Sequence, residues 1–250
     1  MVETIRIMND YFTNVVSTVF RECYEKGKPY VSNFLSTTEQ EIFILESKKY
    51  PTLSLTFDGG IKNSEYQKAI INPSDRHVNS DISILKISFN PRYLTLTHRI
   101  LLGTMLHLGV VRNRLGDIVV YDDCAYVAVC SNLVDFFKEN LTSIHHQEVK
   151  VEEYFQDIIL EDKGIEKTIF LQSIRLDSVI AQAFNISREE STEIIKREMV
   201  KVNQKITVKS FQNLKTCDII SVAHKGRIKI IDDSTTSRSG RIVMKIKIYR

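Results

Sequence analysis

The stretch RLDSVIAQAFNISREESTEIIKREMVKVN, from Arg175 to Asn203, decides the fold of the C-terminal third of this 250-residue chain. Its first ten positions carry apolar residues at helical spacing, which predicts an amphipathic helix; these are Leu176, Val179, Ile180, Ala183 and Phe184. Ser187, followed three residues later by Glu190, has the spacing of a capping box and predicts the start of a second helix. Val200 and Val202 alternate with polar residues, as in a strand with one buried face.

Cationic side chains are concentrated in and just after this stretch, at positions that the apolar pattern leaves on the outside. They are Arg175, Arg188, Lys196, Arg197, Lys201 and Lys205. Taken alone, such a run is equally well explained as a solvated charged surface. The charge distribution of the whole chain favours a polyanionic partner instead. Residues 170–250 contain 16 Lys and Arg against 8 Asp and Glu, whereas residues 1–169 contain 18 against 23.

The order of these residues resembles the S-four domain, a small RNA-binding module named for ribosomal small-subunit protein four. Arg-Leu-Asp opens the first helix, Ser-Arg opens the second, and Val-Lys-Val-Asn follows. The segment Leu214–Val222 is similar to the family's Leu-x-x-Gly-Asp-x-Ile-x-Val strand. The chain departs from the family at Glu198 and Cys217, where Gly is usual, at Ser191, where Ala is common, and at Asn203-Gln204, which replaces an Asn-Gly turn. A left-handed backbone at Glu198 would be strained.

The resemblance and the charge pattern together predict RNA contacts from ten residues. Those near the C-terminus are Arg175, Ser187, Arg188, Lys196, Arg197, Lys201, Asn203 and Lys205, and those further upstream are Arg112 and Arg114. Arginine grips a phosphate in a bidentate way and lysine acts as a point charge. Asp177 is expected to orient Arg175 or to cap a helix. Phe184 and Phe211 are expected in the core, which leaves little for base stacking and favours recognition of structured RNA by shape, phosphates and 2′-hydroxyls.

The sequence pattern of the first 155 residues predicts two further domains. Residues 1–77 read as a small α+β domain with helices over 3–26 and 36–48 and strands over Tyr50–Phe57 and 69–71. The pattern over 78–155 is β-α-β-β-α-β, which is typical of a ferredoxin-like fold and of RNA-recognition motifs. Its predicted elements are Ile82–Phe89, Thr97–Leu108, Ile118–Tyr121, Ala125–Val129, Asn132–Leu141 and Val149–Tyr154. Tyr126 is expected to pack in the core of this unit and not to stack on a base.

The whole chain is therefore predicted to be an α+β protein of three domains. They are 1–77, an N-terminal α+β domain; 78–155, a ferredoxin-like and RRM-like domain; and 170–250, an S-four RNA-binding domain. Residues 156–169 contain Asp157, Glu161, Asp162 and Glu166 and are interpreted as an acidic linker.

The middle of the chain is similar to bacterial YlmH-type proteins, which also carry a C-terminal S-four domain. The matching segments are Leu94–Arg99 and Leu106–Ile118, the second of which ends in Gly-Asp-Ile. The resemblance implies a cytoplasmic, non-enzymatic protein that contacts large-subunit rRNA and tRNA in ribosome-associated quality control.

Two other functions stay open at this point. One is an RNA-modifying enzyme, since S-four domains are also fused to pseudouridine synthases and methyltransferases. However, Arg175-Leu176-Asp177 lacks the residues that surround the catalytic aspartate of a synthase, and none of the nine glycines lies in a glycine-rich cofactor loop. The other is a protein-interaction adaptor with residues 1–77 as its docking surface, which is compatible with RNA binding by the rest of the chain. The four cysteines are scattered, which argues against a disulfide framework or zinc site. No cofactor, metal, small-molecule substrate, signal peptide or membrane span is expected.

Overall fold

A computed structural model describes residues 2–74, 77–160, 164–203, 205–237 and 240–249 of the chain; of residues 2–10 and 233–235 it describes no side chains. The contacts divide the chain into two compact units, Met1–Glu161 and Asp162–Arg250, called here the N-terminal and C-terminal units. Both contain helices and antiparallel sheets, so the expected α+β fold class is confirmed.

The first part of the N-terminal unit is a three-stranded antiparallel sheet with two helices. The elements are α1 (Val2–Lys26), β1 (Tyr30–Leu35), α2 (Thr37–Ser47), β2 (Ser54–Asp58) and β3 (Gln67–Asn72), and the strand order is β1-β3-β2. Phe20 of α1 and Phe43 of α2 pack over this sheet. Both helices confirm the sequence pattern, whereas β1 was not predicted. Its register shifts between Val31 and Phe34, and this irregularity breaks the alternation that identifies a strand.

The second part of the N-terminal unit has the predicted β-α-β-β-α-β order. Its elements are β4 (Ile82–Ser88), α3 (His98–His107), β5 (Leu115–Val120), β6 (Cys124–Cys130), α4 (Val134–Asn140), the short hairpin β7 (Ser143–Ile144) and β8 (Gln147–Glu148), and β9 (Lys150–Tyr154). Short 3-10 helices cover Arg112–Arg114 and Ser131–Leu133. The sheet order is β5-β6-β4-β9, with all neighbours antiparallel. The predicted boundary at residues 77 and 78 falls inside the N-terminal unit, and the division of the chain into three domains stays a prediction.

Both faces of this four-stranded sheet are occupied. One face packs on α3 and α4 through residues such as Leu85, Met105 and Phe137. The opposite face contacts Phe34 of β1 and Ile61, both of which precede the sheet in sequence. Tyr126 lies on that covered face against the rings of Tyr121 and Tyr154, which confirms that it is a packing residue.

Gly116 and Asp117 join the two parts of the N-terminal unit. A Cβ atom on Gly116 would lie 2.6 Å from Cε1 of Phe34 and 2.9 Å from Cβ of Ala128, which is too close for any side chain. The neighbouring Asp117 Oδ2 accepts a 2.8 Å hydrogen bond from the backbone amide of Tyr66. Burial raises the pKa of the Asp117 carboxyl. The Gly-Asp pair is therefore explained by close packing and by one long-range hydrogen bond.

Gly116→Ala is expected to lower the free energy of unfolding by about 1–3 kcal/mol, because the added methyl group must displace Phe34. Urea unfolding of the full chain measures the change. Gly103→Ala is the matched control: Gly103 is exposed in α3 with no atom within 4 Å of the added Cβ, and alanine favours a helix, so stability should stay equal or rise. Equal losses in the two variants would contradict the packing argument.

The C-terminal unit is a six-stranded antiparallel sheet with two helices on one face. Its elements are β10 (Ile165–Leu171), α5 (Leu176–Phe184), α6 (Arg188–Lys196), β11 (Val200–Val202), β12 (Lys205–Ile206), β13 (Ile219–Val222), β14 (Gly226–Thr236) and β15 (Ile242–Tyr249). The strand order is β10-β15-β14-β13-β11-β12. The core lies between the helices and the sheet, where Val179 and Ile195 meet Ile220 and Ile246. The two predicted helices and the strand that follows them are confirmed.

The predicted linker over 156–169 is wrong at its C-terminal end. Residues 165–171 form β10, which pairs with β15 from Ile165 opposite Ile248 to Leu171 opposite Ile242. Ile169 and Leu171 are buried while Glu166 and Phe170 point outward, so the strand alternates as an edge strand should. The acidic residues obscured this alternation. Glu161 and Asp162 of the predicted linker lie outside the described residues.

Helix α6 ends in a left-handed residue that is not glycine. The backbone amide of Met199 donates to Ile194 O, that of Glu198 donates to Ile195 O, and Glu198 has φ of 59°. This is the Schellman arrangement, in which glycine is favoured at the position of Glu198. The strain expected from the sequence at Glu198 is thus present. Cys217, the other departure from glycine, also has positive φ, at 71°.

Glu198→Gly is expected to raise the free energy of unfolding by about 1 kcal/mol, because glycine adopts the left-handed conformation without a Cβ clash. Thermal and urea unfolding measure the gain. The same substitution at Glu193, inside α6, should cost about 1 kcal/mol, since glycine weakens a helix interior. A loss of stability in both variants would mean that the Glu198 conformation carries no strain.

Candidate nucleic-acid interface

A buried carboxylate brings two of the predicted RNA-binding arginines together. Asp177 is 5% exposed, and its Oδ2 accepts from Arg175 Nη2 at 3.0 Å and from Arg188 Nη2 at 3.4 Å. Arg175 Nε also donates to Asp177 Oδ1 at 3.2 Å, and Arg188 Nη2 donates to Ser178 Oγ at 2.7 Å. The expected role of Asp177 in orienting Arg175 is confirmed. We call Arg175, Asp177 and Arg188 the arginine clamp.

The surrounding backbone fixes the clamp on rigid elements. The first amides of α5 are satisfied by a nearby loop, since Leu176 N donates to Gln212 O and Asp177 N to Ser210 O, both at 3.0 Å. Helix α6 is capped by Ser187, whose side chain accepts from the Glu190 amide at 3.0 Å. The buried Ser191 hydroxyl donates to Asp177 O at 2.9 Å and ties the two helices together. The arginines are therefore held before any ligand arrives.

The clamp keeps a net positive charge that solvent can reach. Two guanidinium groups share one carboxylate, and the side chains of Arg175 and Arg188 remain 39% and 58% exposed. A guanidinium oriented in this way binds a phosphate with two parallel hydrogen bonds. The clamp is thus suited to bind a phosphate of a nucleic acid backbone.

A shallow groove of about 200 Å³ adjoins the clamp at the edge strand β10. Arg188 contributes to its lining together with Arg241 and Phe170, neither of which was predicted as a site residue. Arg241 directly precedes β15, and the pairing of Ile242 with Leu171 brings it beside β10. No local pattern in the sequence indicates this pairing between segments about 70 residues apart, which is why Arg241 was not predicted as a site residue. The neighbouring Arg238 and Ser239 lie outside the described residues.

The other predicted cations of the C-terminal unit are not gathered at the clamp. Lys196 forms an exposed 3.3 Å ion pair with Glu193, and Arg197 is exposed at the end of α6. Lys201 is exposed between the buried Val200 and Val202, so it lies on the sheet face opposite the helices. Lys205 is exposed on the short strand β12. Their contacts with RNA stay predictions.

Asn203 is engaged within the C-terminal unit. Its Nδ2 donates to Asp218 Oδ1 at 2.8 Å, and its Oδ1 accepts from the Ile219 amide at 2.9 Å. With φ of 47°, Asn203 also forms the left-handed position of the turn after β11. These contacts give it a structural role, while its predicted contact with RNA stays untested. Gln204, the second residue of the predicted turn, is outside the described residues.

Arg112 and Arg114 belong to the N-terminal unit, where both are half-buried. The Arg112 guanidinium lies 3.9 Å from the centre of the Tyr66 ring and donates to Leu115 O. Arg114 donates to Asn132 Oδ1. Burial, and after it the charge of Arg112, lowers the pKa of His98. These contacts give both arginines partners within the N-terminal unit, and their predicted RNA contacts stay predictions.

The expectation that Phe211 lies in the core is wrong. Phe211 is 66% exposed in the loop that caps α5, and Phe170 is 51% exposed, whereas Phe184 packs against the core of the C-terminal unit. The residues on either side of Phe211, Ser210 and Gln212, accept hydrogen bonds from the first amides of α5 through their backbone carbonyls. Two aromatic rings are therefore accessible on this unit, which the sequence did not indicate.

Within the part of the chain that the structure describes, neither a metal site nor a membrane-spanning helix is found. There, His, Cys, Asp and Glu side chains form no group of three or more that is placed to hold a metal ion. Likewise, none of the helices within the described ranges combines the length and apolar character that crossing a bilayer requires.

Comparisons with known proteins agree with this description. The family model described as a putative RNA-binding domain in YlmH matches residues 76–157, the ferredoxin-like part. The resemblance to YlmH-type proteins is thereby confirmed. One relative of this chain is the ribosome-associated protein quality control protein P2 of Bacillus subtilis (strain 168), which is 25% identical over 228 residues and matches over 88% of each chain.

A solved structure has a similar fold over part of this chain. It is that of the cell division protein ylmH from Streptococcus pneumoniae, with 23% identity and a TM-score of 0.51. The match covers 60% of this chain and 92% of the solved one. The S-four assignment of the C-terminal unit is not part of these findings and stays a prediction.

Proposed function

We propose that this chain is a non-enzymatic RNA-binding protein that acts on the ribosomal large subunit in ribosome-associated quality control. In this proposal the C-terminal unit is an S-four domain that binds structured rRNA and tRNA, and the protein works in the cytoplasm, where ribosomes are. The arginine clamp is the observation that carries the proposal, because two oriented guanidinium groups remain exposed to bind phosphates. The RNA-binding family model and the name of the Bacillus subtilis relative support it.

The environment of Asp177 argues against the alternative of a pseudouridine synthase. A catalytic aspartate must reach its substrate, whereas Asp177 is buried and its oxygens accept from Arg175, Ser178 and Arg188. Its position is that of a residue that orients arginines. Incubating the chain with rRNA, with and without S-adenosylmethionine, and analysing the bases tests both enzymatic alternatives; a modified base would contradict the proposal.

Sedimentation through a sucrose gradient tests the ribosomal part of the proposal. The tagged chain, expressed in the organism that encodes it, is expected to sediment with large ribosomal subunits. Sequencing of the RNA crosslinked to it is expected to recover rRNA and tRNA. A variant with Arg175 and Arg188 both changed to Glu should remain at the top of the gradient, because the clamp then repels phosphates. Sedimentation of the unmodified chain away from ribosomes would exclude this function.

A further inference from the structure

The sheet of the C-terminal unit carries a group of cations on the face opposite its helices. Along β15, Met244, Ile246 and Ile248 are buried in the core under α5 and α6, so the residues between them point to the other face. The same alternation holds in β14, around the buried Ile228 and Ile230, and in β11. The cations that it directs to the face away from the helices are called here the basic sheet face: Lys201, Arg227, Lys229, Lys245 and Lys247.

The strand register brings these cations together. Lys229 of β14 lies directly opposite Lys247 of β15, and Arg227 stands two positions before Lys229 on the same strand. On the other side of β14, Arg227 is opposite Ser221, which is in turn opposite Lys201. Neighbouring strands lie about 4.8 Å apart, and alternate residues of one strand lie about 7 Å apart. The cations therefore form one continuous patch across three neighbouring strands and β11.

The charge of this patch is only partly neutralised within the unit. Lys247 Nζ lies 3.4 Å from Glu166 Oε1, and Asp232 is paired in register with Lys245. These two are the carboxylates among the described side chains of this face. Lys229 is exposed and forms no ion pair with another described side chain. Like charges directly opposite each other destabilise a sheet, so the pairing of Lys229 with Lys247 carries a cost that a bound polyanion would offset.

The form of the patch favours a phosphate backbone as its ligand. Most of its cations are lysines, which act as point charges on phosphates, and contacts to phosphates position a nucleic acid without reading its bases. Several such contacts together give an affinity that does not depend on sequence. An acidic protein segment would also complement the charge. RNA is favoured because the same unit carries the arginine clamp, whose oriented guanidinium groups suit phosphates.

We propose that the basic sheet face binds the phosphate backbone of a second RNA segment while the arginine clamp holds the first. The inference rests on the proposed function, since it adds a second contact surface to the same RNA-binding unit. Arg175 and Arg188 stand at the starts of α5 and α6, which pack on one side of the sheet, whereas the basic sheet face is on the other side. A straight RNA duplex cannot lie against both sides of a sheet, so the two surfaces accept different segments.

Retention of one RNA by another tests the proposal. A biotin-labelled RNA hairpin is fixed to beads, loaded with the full chain at low salt, washed, and offered a fluorescent copy of the hairpin. The unmodified chain is expected to retain the fluorescent hairpin. The double variant Lys229→Glu and Lys245→Gln should still bind the beads but retain about 5-fold less of it or lower, because two phosphate contacts are lost. Urea unfolding checks that the variant folds, which is expected because Glu at 229 faces Lys247.

Lys209→Glu with Lys215→Gln is the matched control. It changes the charge of the same unit by the same amount, at two exposed residues that lie between β12 and β13 and not on the basic sheet face. This variant should retain clearly more of the fluorescent hairpin than the variant of the sheet face. Equal losses in the two variants would mean that retention follows the total charge of the unit, and would overturn the proposal.

Acetylation of lysines locates the contact. The hairpin is expected to protect Lys229 and Lys245 from acetylation, as measured by mass spectrometry, also when Arg175 and Arg188 are both changed to Glu. Full retention by the sheet-face variant, or no protection of Lys229, would overturn the second surface while leaving RNA binding intact. Protection by poly-glutamate but not by RNA would assign the face to acidic proteins and overturn it as well. A failure of the unmodified chain to bind the hairpin on the beads would instead overturn the proposed function, and this proposal with it.

Discussion

Arg188→Glu is expected to weaken the binding of structured RNA by about 10-fold or more and to make its salt dependence shallower. The substitution removes one phosphate-binding guanidinium and places a second carboxylate beside Asp177, so the clamp loses its net positive charge. A filter-binding titration at several salt concentrations measures both effects. Arg188→Gln, which removes only the charge, should give a smaller loss in the same direction.

Lys196→Glu is the matched control for this prediction. It is the same reversal of charge on the same helix, at an exposed residue that pairs with Glu193 and does not contact Asp177. We expect a clearly smaller loss of affinity than for Arg188→Glu. Circular dichroism and a thermal melt show whether both variants fold. Equal losses would mean that RNA responds to the total charge of the unit and not to the clamp.

Asp177→Asn is expected to lower RNA affinity although it removes a negative charge from a cationic surface. Without the carboxylate, Arg175 and Arg188 lose the common acceptor that orients them, and each phosphate contact must then order a free side chain. The free energy of unfolding should also fall by about 1–3 kcal/mol, because charge-assisted hydrogen bonds of a buried group are lost. Urea unfolding and RNA titration of the same preparation measure the two effects.

Glu193→Gln is the control, because the opposite change in RNA affinity is expected for it. It also removes one negative charge, but from an exposed position of α6 that pairs only with Lys196 among the described contacts. A small gain in affinity is expected there, since the helix becomes more positive. If Asp177→Asn likewise strengthened binding, the carboxylate would repel RNA instead of orienting the arginines. The proposal that the clamp is an oriented phosphate-binding site would then be wrong.

The sequence predicted the elements whose pattern is local. The helices around Val179 and Ile195 follow from apolar spacing, the helix start at Ser187 follows from its cap, and the strain at Glu198 follows from the missing glycine. The role of Asp177 was also predicted, because it stands two residues from Arg175. Each of these features depends on residues close together in the chain.

The features that were missed depend on distant pairing. Strand β1 contains a register shift, and β10 is an edge strand that joins the sheet only by pairing with β15, which is distant in sequence. The groove joins Phe170 to Arg241 through that same pairing. Phe211 was misplaced because an apolar residue in a loop has no periodicity to show which side it faces. Long-range strand order therefore limited the predicted site more than residue chemistry did.

The contact of Phe34 and Ile61 with the ferredoxin-like sheet has a practical consequence for expressing parts of this protein. A fragment that begins near residue 78 would leave Ile84, Tyr126 and Ala128 without their cover and present a water-exposed apolar plane. Such a plane promotes self-association. Fragment studies of RNA binding should therefore retain the preceding segment, since a shortened piece would report on its own aggregation.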